Sequence, residues 1–208
     1  MPEESIKQKK GLLIVLSSPS GAGKTTVARK LIEKDSNLIL SISYTTRPPR
    51  GEERNGIDYF FVDEETFLQM KSADKFMEWA MVFGEYYGTS RDFVEEHLFS
   101  GRDILLRIDV QGGRQIKADC QDSVLIFLLP PSMEELERRL KRRKTETEEK
   151  IRNRLKVASW EVEQGENYDY LVVNDKLDKA CNEILCIIRA ERAKIDRRKE
   201  LLRSWISP

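Results

Sequence analysis

The chain has few of the residues that bind structural metal ions or act as catalytic bases. Its 208 residues include one histidine, His97, and three cysteines, Cys120, Cys181 and Cys186. The cysteines are odd in number and have no zinc-ligand spacing, so a structural zinc site is excluded and we interpret them as buried or idle thiols. A lone histidine without a nearby nucleophile supports no hydrolase triad, and we interpret His97 as a surface or half-buried helix residue.

The chain also has no net charge and no long apolar run. Thirty-six basic residues balance thirty-six acidic ones, which argues against non-specific nucleic-acid binding as the main task, although local basic clusters exist. No apolar run reaches the length that crosses a membrane, and the first residues, "MPEESIKQKKG", contain no hydrophobic stretch typical of a signal peptide. We therefore expect a cytoplasmic protein with no membrane partner.

The sequence does contain an alternation of short apolar runs and helical patterns. With 39% hydrophobic residues, the chain can bury a substantial core as one domain with insertions or as two small domains. Strands buried on both faces that alternate with helices are typical of an α/β fold with a parallel sheet covered by helices. Capping boxes at Ser132 with Glu135 and at Thr145 with Glu148 predict two helix starts. The apolar runs cover residues 12–16, 38–42, 104–110, 124–129 and 170–173.

Residues 43–89 interrupt this alternation. The segment "SYTTRPPRGEERNGIDYFFV" is rich in proline, glycine and arginine, and it is followed by a short helical pattern from Asp63 and by the aromatic segment "FMEWAMVFGEYYGTS". These features predict a small mixed-sheet insertion in the α/β core. Insertions of this kind often carry a second substrate.

The segment "SSPSGAGKTT" lies between the first apolar run and a helical pattern, which is the context of a phosphate-binding P-loop. Small residues from Gly21 to Gly23 let backbone N–H groups surround a phosphate, while Lys24 would reach the terminal phosphates and the Thr25 hydroxyl would bind Mg²⁺. The usual first glycine is replaced by Ser18, which costs little if its φ is negative. The alternative is an ordinary Gly/Ser-rich turn.

Six segments together resemble the guanylate kinases, from about Gly11 to Ile188. They are "SSPSGAGKTT", "SYTTRPPRGEERNGIDYFF", "FMEWAMVFGEYYGTS", "LRIDVQGG", "RRLKRRKTETEEKIRNRL" and "DYLVVND". The resemblance implies transfer of the γ-phosphoryl group of ATP to GMP, with Mg²⁺ as cofactor of ATP. It also implies a P-loop core domain (11–42, 90–137 and 155–208), a GMP-binding insertion (43–89) and a helical lid (138–154).

The same resemblance implies roles for individual residues. Those expected to bind ATP are Ser18, Pro19, Ser20, Gly21, Ala22, Gly23, Lys24, Thr25, Thr26, Arg139 and Asn174. Those expected to bind GMP are Ser43, Arg47, Arg50, Tyr59, Glu78, Tyr87, Gly88, Thr89 and Asp109. Those expected to act on the transferred group are Lys24, Arg50, Arg143 and Arg154. The metal is expected near Thr25, with Asp109 acting through water or on the acceptor.

Several of these residues have simpler interpretations. Glu78 is alternatively a solvent-facing residue of an alternating strand. Asn174 alternatively forms an ordinary Asx turn at the end of a strand. The basic run "RRLKRRK" is alternatively a solvated helix face or a nucleic-acid patch, and within it Arg142 and Lys144 stand where the family commonly has glycine.

Arg107 departs most clearly from the family, which is commonly acidic at this position. By strand alternation its side chain is expected on the same face as that of Asp109. Two roles compete: an ion pair with Asp109 or another nearby carboxylate, which we favour, or an added positive charge at the acceptor phosphate.

Two other functions are compatible with parts of the pattern. A catalytically inactive binding module of the same fold is disfavoured because Lys24, Arg47 and Arg50 are all present. A kinase of another nucleotide is disfavoured because Glu78 offers an acceptor to guanine. The tail at residues 189–208, with seven basic residues, predicts an amphipathic helix that packs on the core or on a second subunit of a homodimer, with nucleic acid a less favoured partner.

Overall fold

A five-stranded parallel sheet forms the centre of the fold in the computed structural model, which describes residues 10–142 and 148–206. In chain order, the strands are β1 (Leu13–Ser17), β2 (Leu38–Leu40), β3 (Tyr44–Thr45), β4 (Phe60–Phe61), β5 (Phe76–Val82), β6 (Glu85–Ser90), β7 (Asp103–Leu106), β8 (Val124–Leu129) and β9 (Tyr170–Val173). The helices are α1 (Lys24–Lys34), α2 (Glu64–Ser72), α3 (Arg91–Phe99), α4 (Val110–Asp119), α5 (Met133–Arg142), α6 (Glu148–Gln164), α7 (Leu177–Ala193) and α8 (Ile195–Ile206).

The central sheet has the strand order β2-β7-β1-β8-β9, and every neighbouring pair is parallel. The predicted α/β fold with a parallel core is therefore confirmed. The apolar run at 104–110 is only partly strand, because β7 ends at Leu106 and Asp109 instead accepts a bond from the N–H of Gly112 as the N-cap of α4.

Alternating side chains of β1 build a core on each face of this sheet. Ile14 and Leu16 pack in a cluster with α1 and α7, while Leu13 and Val15 pack in a cluster with α3 and α4. Because a strand directs successive side chains to opposite faces, a continuous apolar run satisfies both cores at once. This packing fixes the end of β1, from which the P-loop leaves.

A second, four-stranded sheet has the order β4-β3-β6-β5. Strand β3 pairs parallel to β4 and antiparallel to β6, so the sheet is mixed, as the sequence predicts for the insertion. Helix α2 begins where the Asp63 carboxylate accepts the N–H of Thr66 at 2.7 Å. Strands β5 and β6 form a long hairpin that carries much of the candidate site.

The predicted capping boxes meet different outcomes. The Ser132 hydroxyl accepts the N–H of Glu135 at 3.2 Å, as predicted, but the Glu135 carboxylate accepts bonds from Arg138 and Arg139 of its own helix. Thr145 lies outside the described residues, and the described part of α6 begins at Glu148.

The three cysteines and His97 all lie on helices or at a helix end. All three cysteines are free thiols, with Cys181 buried and Cys186 exposed, and His97 is half-buried on α3. The predicted tail at residues 189–208 is divided: residues 189–193 end α7, residues 195–206 form α8, and the last two residues lie outside the described part. No residue of α8 is buried, so its packing partner stays a prediction. Among the described residues, no helix combines the length and the apolar character needed to cross a bilayer.

Candidate active site

The P-loop joins β1 to α1 with the backbone that its small residues permit. Gly21 and Gly23 have φ of 104° and 103°, values that favour glycine, and Ala22 is fully buried. Gly23 is the N-cap of α1 and has no side chain with which to cap the helix, and the N–H groups of a helix N-terminus favour an anion. Ser18 is not among the described non-glycine residues with positive φ, so the serine fits the loop without strain.

Lys24 and a carboxylate from α6 meet at this loop. The Lys24 ammonium donates to the Ser18 carbonyl at 2.7 Å, and the buried Glu161 accepts the N–H of Ser20 at 3.3 Å. Burial raises the pKa of Glu161, and the positive charge of Lys24 partly opposes that rise. Sequence reasoning missed Glu161, although it lies seven residues after Arg154, two turns along the same face of one helix.

Two expected arginines also reach the P-loop. Arg154 donates to the Ser20 hydroxyl at 2.8 Å, and Arg139 donates to the Ala22 carbonyl at 3.2 Å. Arg139 is held by Glu135 at 2.7 Å on its own helix. The third expected arginine, Arg143, lies outside the described residues, as does Lys144.

Asn174 supports the P-loop from the end of β9. Its side-chain amide donates to the Ala22 carbonyl at 2.8 Å, and a Cβ added at Gly23 would lie 2.5 Å from the same nitrogen. The Asn174 side chain therefore bonds to the P-loop, and not only to its own backbone as the alternative of a local Asx turn would require.

Arg47 and Tyr59 lie together on the insertion. Arg47 is 5% exposed, donates to both carboxylate oxygens of Glu53 at 3.0 and 2.9 Å, and has its Cζ 5.3 Å from the centre of the Tyr59 ring. Glu53 also accepts the backbone N–H of Arg50 at 2.8 Å, while the Arg50 side chain is exposed. Glu53, which sequence reasoning missed, thus orders the arginine pair of "TTRPPR".

Glu78 is buried on β5, so its interpretation as a solvent-facing residue is wrong. It is 3% exposed, and the Thr89 hydroxyl on β6 donates to its Oε1 at 2.6 Å. A Cβ at Gly112 would lie 2.2 Å from Oε2, so only glycine permits this approach of α4. Burial raises the pKa of Glu78 to about 8, with the nearby Asp109 charge adding to the rise and Thr89 opposing it.

The other expected acceptor residues surround this pair. Ser43 is buried immediately before β3, and Gly88 of β6 is paired with Tyr44 on one side and Trp79 on the other. Tyr87 packs its ring edge against Tyr59 at 5.9 Å. The structure thus brings the expected base-binding residues onto one small sheet.

Asp109 and Arg107 do not form the expected pair. The Asp109 carboxylate accepts from Gly112 at 3.0 Å and from Gln111 at 2.9 Å, while Arg107 donates to the Asp58 carbonyl at 3.3 Å. The guanidinium carbon of Arg107 lies 5.1 Å from the Tyr59 ring centre. Strand alternation fails here because β7 ends before either residue.

The chemistry of the donors suits Mg²⁺ held mainly by a nucleotide. The described residues contain no group of three or more histidine, cysteine, aspartate or glutamate side chains that could hold a metal alone. Thr25, at the start of α1, offers a hydroxyl beside the P-loop. Asp109 offers a carboxylate, and its backbone carbonyl accepts the Ser17 hydroxyl at 3.2 Å. Mg²⁺ commonly binds through so few protein groups plus substrate phosphates and water.

Comparison with known proteins identifies relatives of the whole chain. The family model described as guanylate kinase matches residues 10–191. The chain is 51% identical to the guanylate kinase of Caldanaerobacter subterraneus subsp. tengcongensis over 197 residues, covering 95% of each chain. It is 48% identical to that of Sphingopyxis alaskensis, covering 93% of this chain and 87% of the relative.

A solved structure shares the whole fold. The crystal structure of guanylate kinase from Anaplasma phagocytophilum superposes with a TM-score of 0.81 at 41% identity, covering 95% of this chain and 96% of that one. With the family model matched over most of the chain and relatives near half identity, the chain belongs to the guanylate kinase family.

Proposed function

We propose that this protein transfers the γ-phosphoryl group of ATP to GMP. A phosphate oxygen of GMP attacks the γ-phosphorus, the bond from that phosphorus to the β–γ bridging oxygen breaks, and the products are ADP and GDP. The observation that carries the choice of acceptor is the buried Glu78–Thr89 pair on the insertion.

On the donor side, the proposal assigns the ATP phosphates to the P-loop. Backbone N–H groups between Gly21 and Thr26, apart from that of Ala22, which donates to the Pro19 carbonyl at 3.1 Å, would join the Lys24 ammonium in supplying the positive field that the developing charge requires. Arg139 and Asn174 support the Ala22 carbonyl and face the side on which we place the adenine. Arg154, already at Ser20, and Arg143 are assigned to the moving phosphoryl group.

On the acceptor side, three guanidinium groups would bind the GMP phosphate. Arg47 and Arg107 both lie against the Tyr59 ring, at 5.3 and 5.1 Å, and Arg50 follows on the same loop. Guanidinium groups bind phosphate oxygens in a bidentate manner, and Tyr59 adds a hydroxyl donor. GMP phosphate would then take the place of Glu53 as the anionic partner of Arg47.

The base would be read by Glu78 and its neighbours. Guanine presents donors at N1 and at its exocyclic amino group, which a carboxylate accepts, and an acceptor at O6, which the Ser43 hydroxyl would satisfy. The Thr89 hydroxyl, which donates to Glu78, would hold that carboxylate in place. Tyr87 and Gly88 shape the pocket. Adenine, which lacks the donor at N1, would leave the buried Glu78 with Thr89 as its hydrogen-bond donor but without the donors of the base, and such loss strongly lowers affinity.

Magnesium would arrive with ATP. The Thr25 hydroxyl and, through water, the Asp109 carboxylate would hold it, and when bound it neutralises charge on the β- and γ-phosphates. The chain's own residues align the two phosphates and exclude water from the transferred group.

The proposal extends to the organisation of the chain. We assign acceptor binding to residues 43–89, closure over the phosphates to 138–154, and the donor site to the core formed by 11–42, 90–137 and 155–208. The cytoplasm, where both nucleotides occur, is the proposed location. Pairing of two subunits through α8 is compatible with its exposed Leu201 and Trp205.

A coupled assay of ADP formation with GMP, AMP, CMP, UMP and dTMP as separate acceptors tests the proposal. We expect turnover with GMP to exceed that with every other acceptor by at least about a hundredfold, as expected when a buried polar group must be paired. Turnover with another nucleotide would indicate a different kinase, and no turnover with any acceptor would indicate a binding module.

A further inference from the structure

The hairpin of β5 and β6 has an unusual tip. Val82 pairs with Glu85, so the turn consists of Phe83 and Gly84, with φ of 52° and 83°. Two positive φ values define a type I′ turn, which strongly favours Asn-Gly. Gly84 fits this turn, but Phe83 does not, because a bulky side chain is rare in the left-handed region.

The strained Phe83 gains little from burial. It is 52% exposed, so core packing does not explain a phenylalanine at the tip. Its ring instead meets Arg154, whose guanidinium carbon lies 4.9 Å from the ring centre. Strain at a surface turn is kept when it serves a site, and the contact here is with a residue of the proposed phosphoryl-transfer machinery.

Arg154 thereby joins the two substrate sites. The same side chain donates to the Ser20 hydroxyl of the P-loop at 2.8 Å. A guanidinium that stacks on a ring uses its face, so the contact with Phe83 itself occupies none of the in-plane N–H groups of Arg154. Strands β5 and β6, which Phe83 and Gly84 join, also carry Glu78 and Thr89.

We propose that Phe83 is a positioning residue that holds the Arg154 guanidinium over the P-loop and couples it to the acceptor-binding hairpin. The proposal rests on the proposed function. The ring orients Arg154 so that its N–H groups face the transferred phosphoryl group when GMP holds the hairpin in place. If Phe83 were only a surface residue, its substitution would leave turnover unchanged.

The test compares two variants that remove the ring with one that retains an aromatic ring. Phe83→Asn supplies the preferred turn residue, and Phe83→Leu retains apolar bulk without a ring face. We expect both to lower kcat with ATP and GMP about five- to thirtyfold, because misplacing a group that acts on the transferred phosphoryl can cost up to about a hundredfold, with either KM changed less than about threefold. Phe83→Trp should keep at least about half of the parent kcat, because its ring offers a stronger cation site.

Thermal stability separates positioning from folding. Phe83→Asn relieves the strained φ, so its Tm should equal or exceed that of the parent while its kcat falls. The matched control is Asp74→Asn, because Asp74 has the same φ of 52° and an 85% exposed side chain. It lies just before β5, at the opposite end of the hairpin from Phe83. This control should leave kcat unchanged.

A double-mutant cycle completes the test. On an Arg154→Ala background, Phe83→Asn should change kcat less than about twofold, because coupled residues are not additive. Parent-like kcat in both Phe83→Asn and Phe83→Leu, or an equal loss in Phe83→Trp, overturns the positioning role. A parent chain that forms no ADP with GMP would instead refute the proposed function, and this inference with it.

Discussion

At the scale of single residues, the protonation of Glu78 links the acceptor site to pH. In the free protein, burial raises the pKa of this carboxyl to about 8, so it is largely protonated at neutral pH. Guanine N–H donors stabilise the ionised form and would lower that pKa on binding. If Glu78 reads the base as proposed, GMP binding and proton release are linked.

We predict that GMP binding at pH 7 releases up to about one proton from the protein. Calorimetry of GMP binding in buffers of different ionisation enthalpy measures this number, and the Glu78→Gln variant should bring the protein's contribution close to zero. Identical buffer dependence in parent and variant would show that Glu78 does not read the base.

The same carboxyl affects stability in the absence of ligand. Its folded pKa of about 8 lies above the unfolded value of 4.5, so the folded state binds more protons between these pH values. Stability from this group is complete below pH 4.5 and is lost as pH rises toward 8. Denaturant titrations should give a smaller fall in the free energy of unfolding over this window for Glu78→Gln than for the parent.

Arg107 gives a second prediction at this scale. Arg107 does not pair with Asp109, but it lies near another carboxylate, that of Asp58, whose pKa is lowered first by the Arg54 N–H and also by the charge of Arg107. Because Arg107 also lies against the Tyr59 ring, we expect Arg107→Ala to raise the GMP KM at least about tenfold, the loss of a charge-assisted bond. The control is Arg29→Ala, which removes another cation at Asp58, 2.5 Å away, and should change the GMP KM less than about threefold. Equal effects of the two substitutions would mean that Arg107 only docks Asp58.

At the scale of elements, each position of the P-loop has a separate requirement. Gly23 needs its positive φ and its space beside Asn174, whereas Ser18 is a buried residue whose hydroxyl donates to the Pro19 carbonyl at 2.9 Å. The missing first glycine is therefore tolerated for a conformational reason.

We predict that Ser18→Gly changes the KM for ATP by less than about threefold, or roughly 0.6 kcal/mol. Gly23→Ala, the matched control, should raise it more than about tenfold, because the added Cβ would lie 2.5 Å from Asn174 Nδ2. Steady-state kinetics at saturating GMP measures both. A tenfold effect of Ser18→Gly would mean that its hydroxyl has a direct role.

The elements also show what could be predicted from sequence. The strands β8 and β9 match their apolar runs residue for residue. Strand β8 is buried along nearly its whole length, which leaves an unambiguous pattern, whereas in the edge strand β9 only Val172 is buried and the aromatic and β-branched residues mark the strand. The environment of Arg107 could not be predicted, because β7 ends early and alternation no longer applies. Glu161 and Phe83 were missed because their roles arise from contacts between elements distant in sequence.

At the scale of the whole molecule, the two sheets carry different groups of candidate site residues. The parallel sheet holds the P-loop at the end of β1, while the mixed sheet holds Glu78 and Arg47. Arg154 of α6 contacts both parts, through Ser20 and Phe83. Alignment of donor and acceptor therefore depends on side chains at the junction rather than on either sheet alone.

The lid remains a prediction at this scale. We expect the described parts of residues 138–154, including Arg139 and Arg154, to be more protected from hydrogen exchange with ATP and GMP both bound than with either nucleotide alone. The reason is that the two nucleotides together supply the negative charge over which the arginines close. Equal protection with one or two ligands would favour the interpretation of "RRLKRRK" as a solvated basic surface.

The central claim is transfer of the γ-phosphoryl group of ATP to GMP at the P-loop, and product analysis with γ-labelled ATP tests it most directly. The parent should convert GMP to labelled GDP in equal amount to ADP. Lys24→Ala should lower this rate by at least about a thousandfold, a loss comparable to removing a major electrostatic stabiliser, while its circular dichroism stays that of the parent. Label released as inorganic phosphate without GDP, or near-parent turnover by a folded Lys24→Ala variant, would contradict the claim.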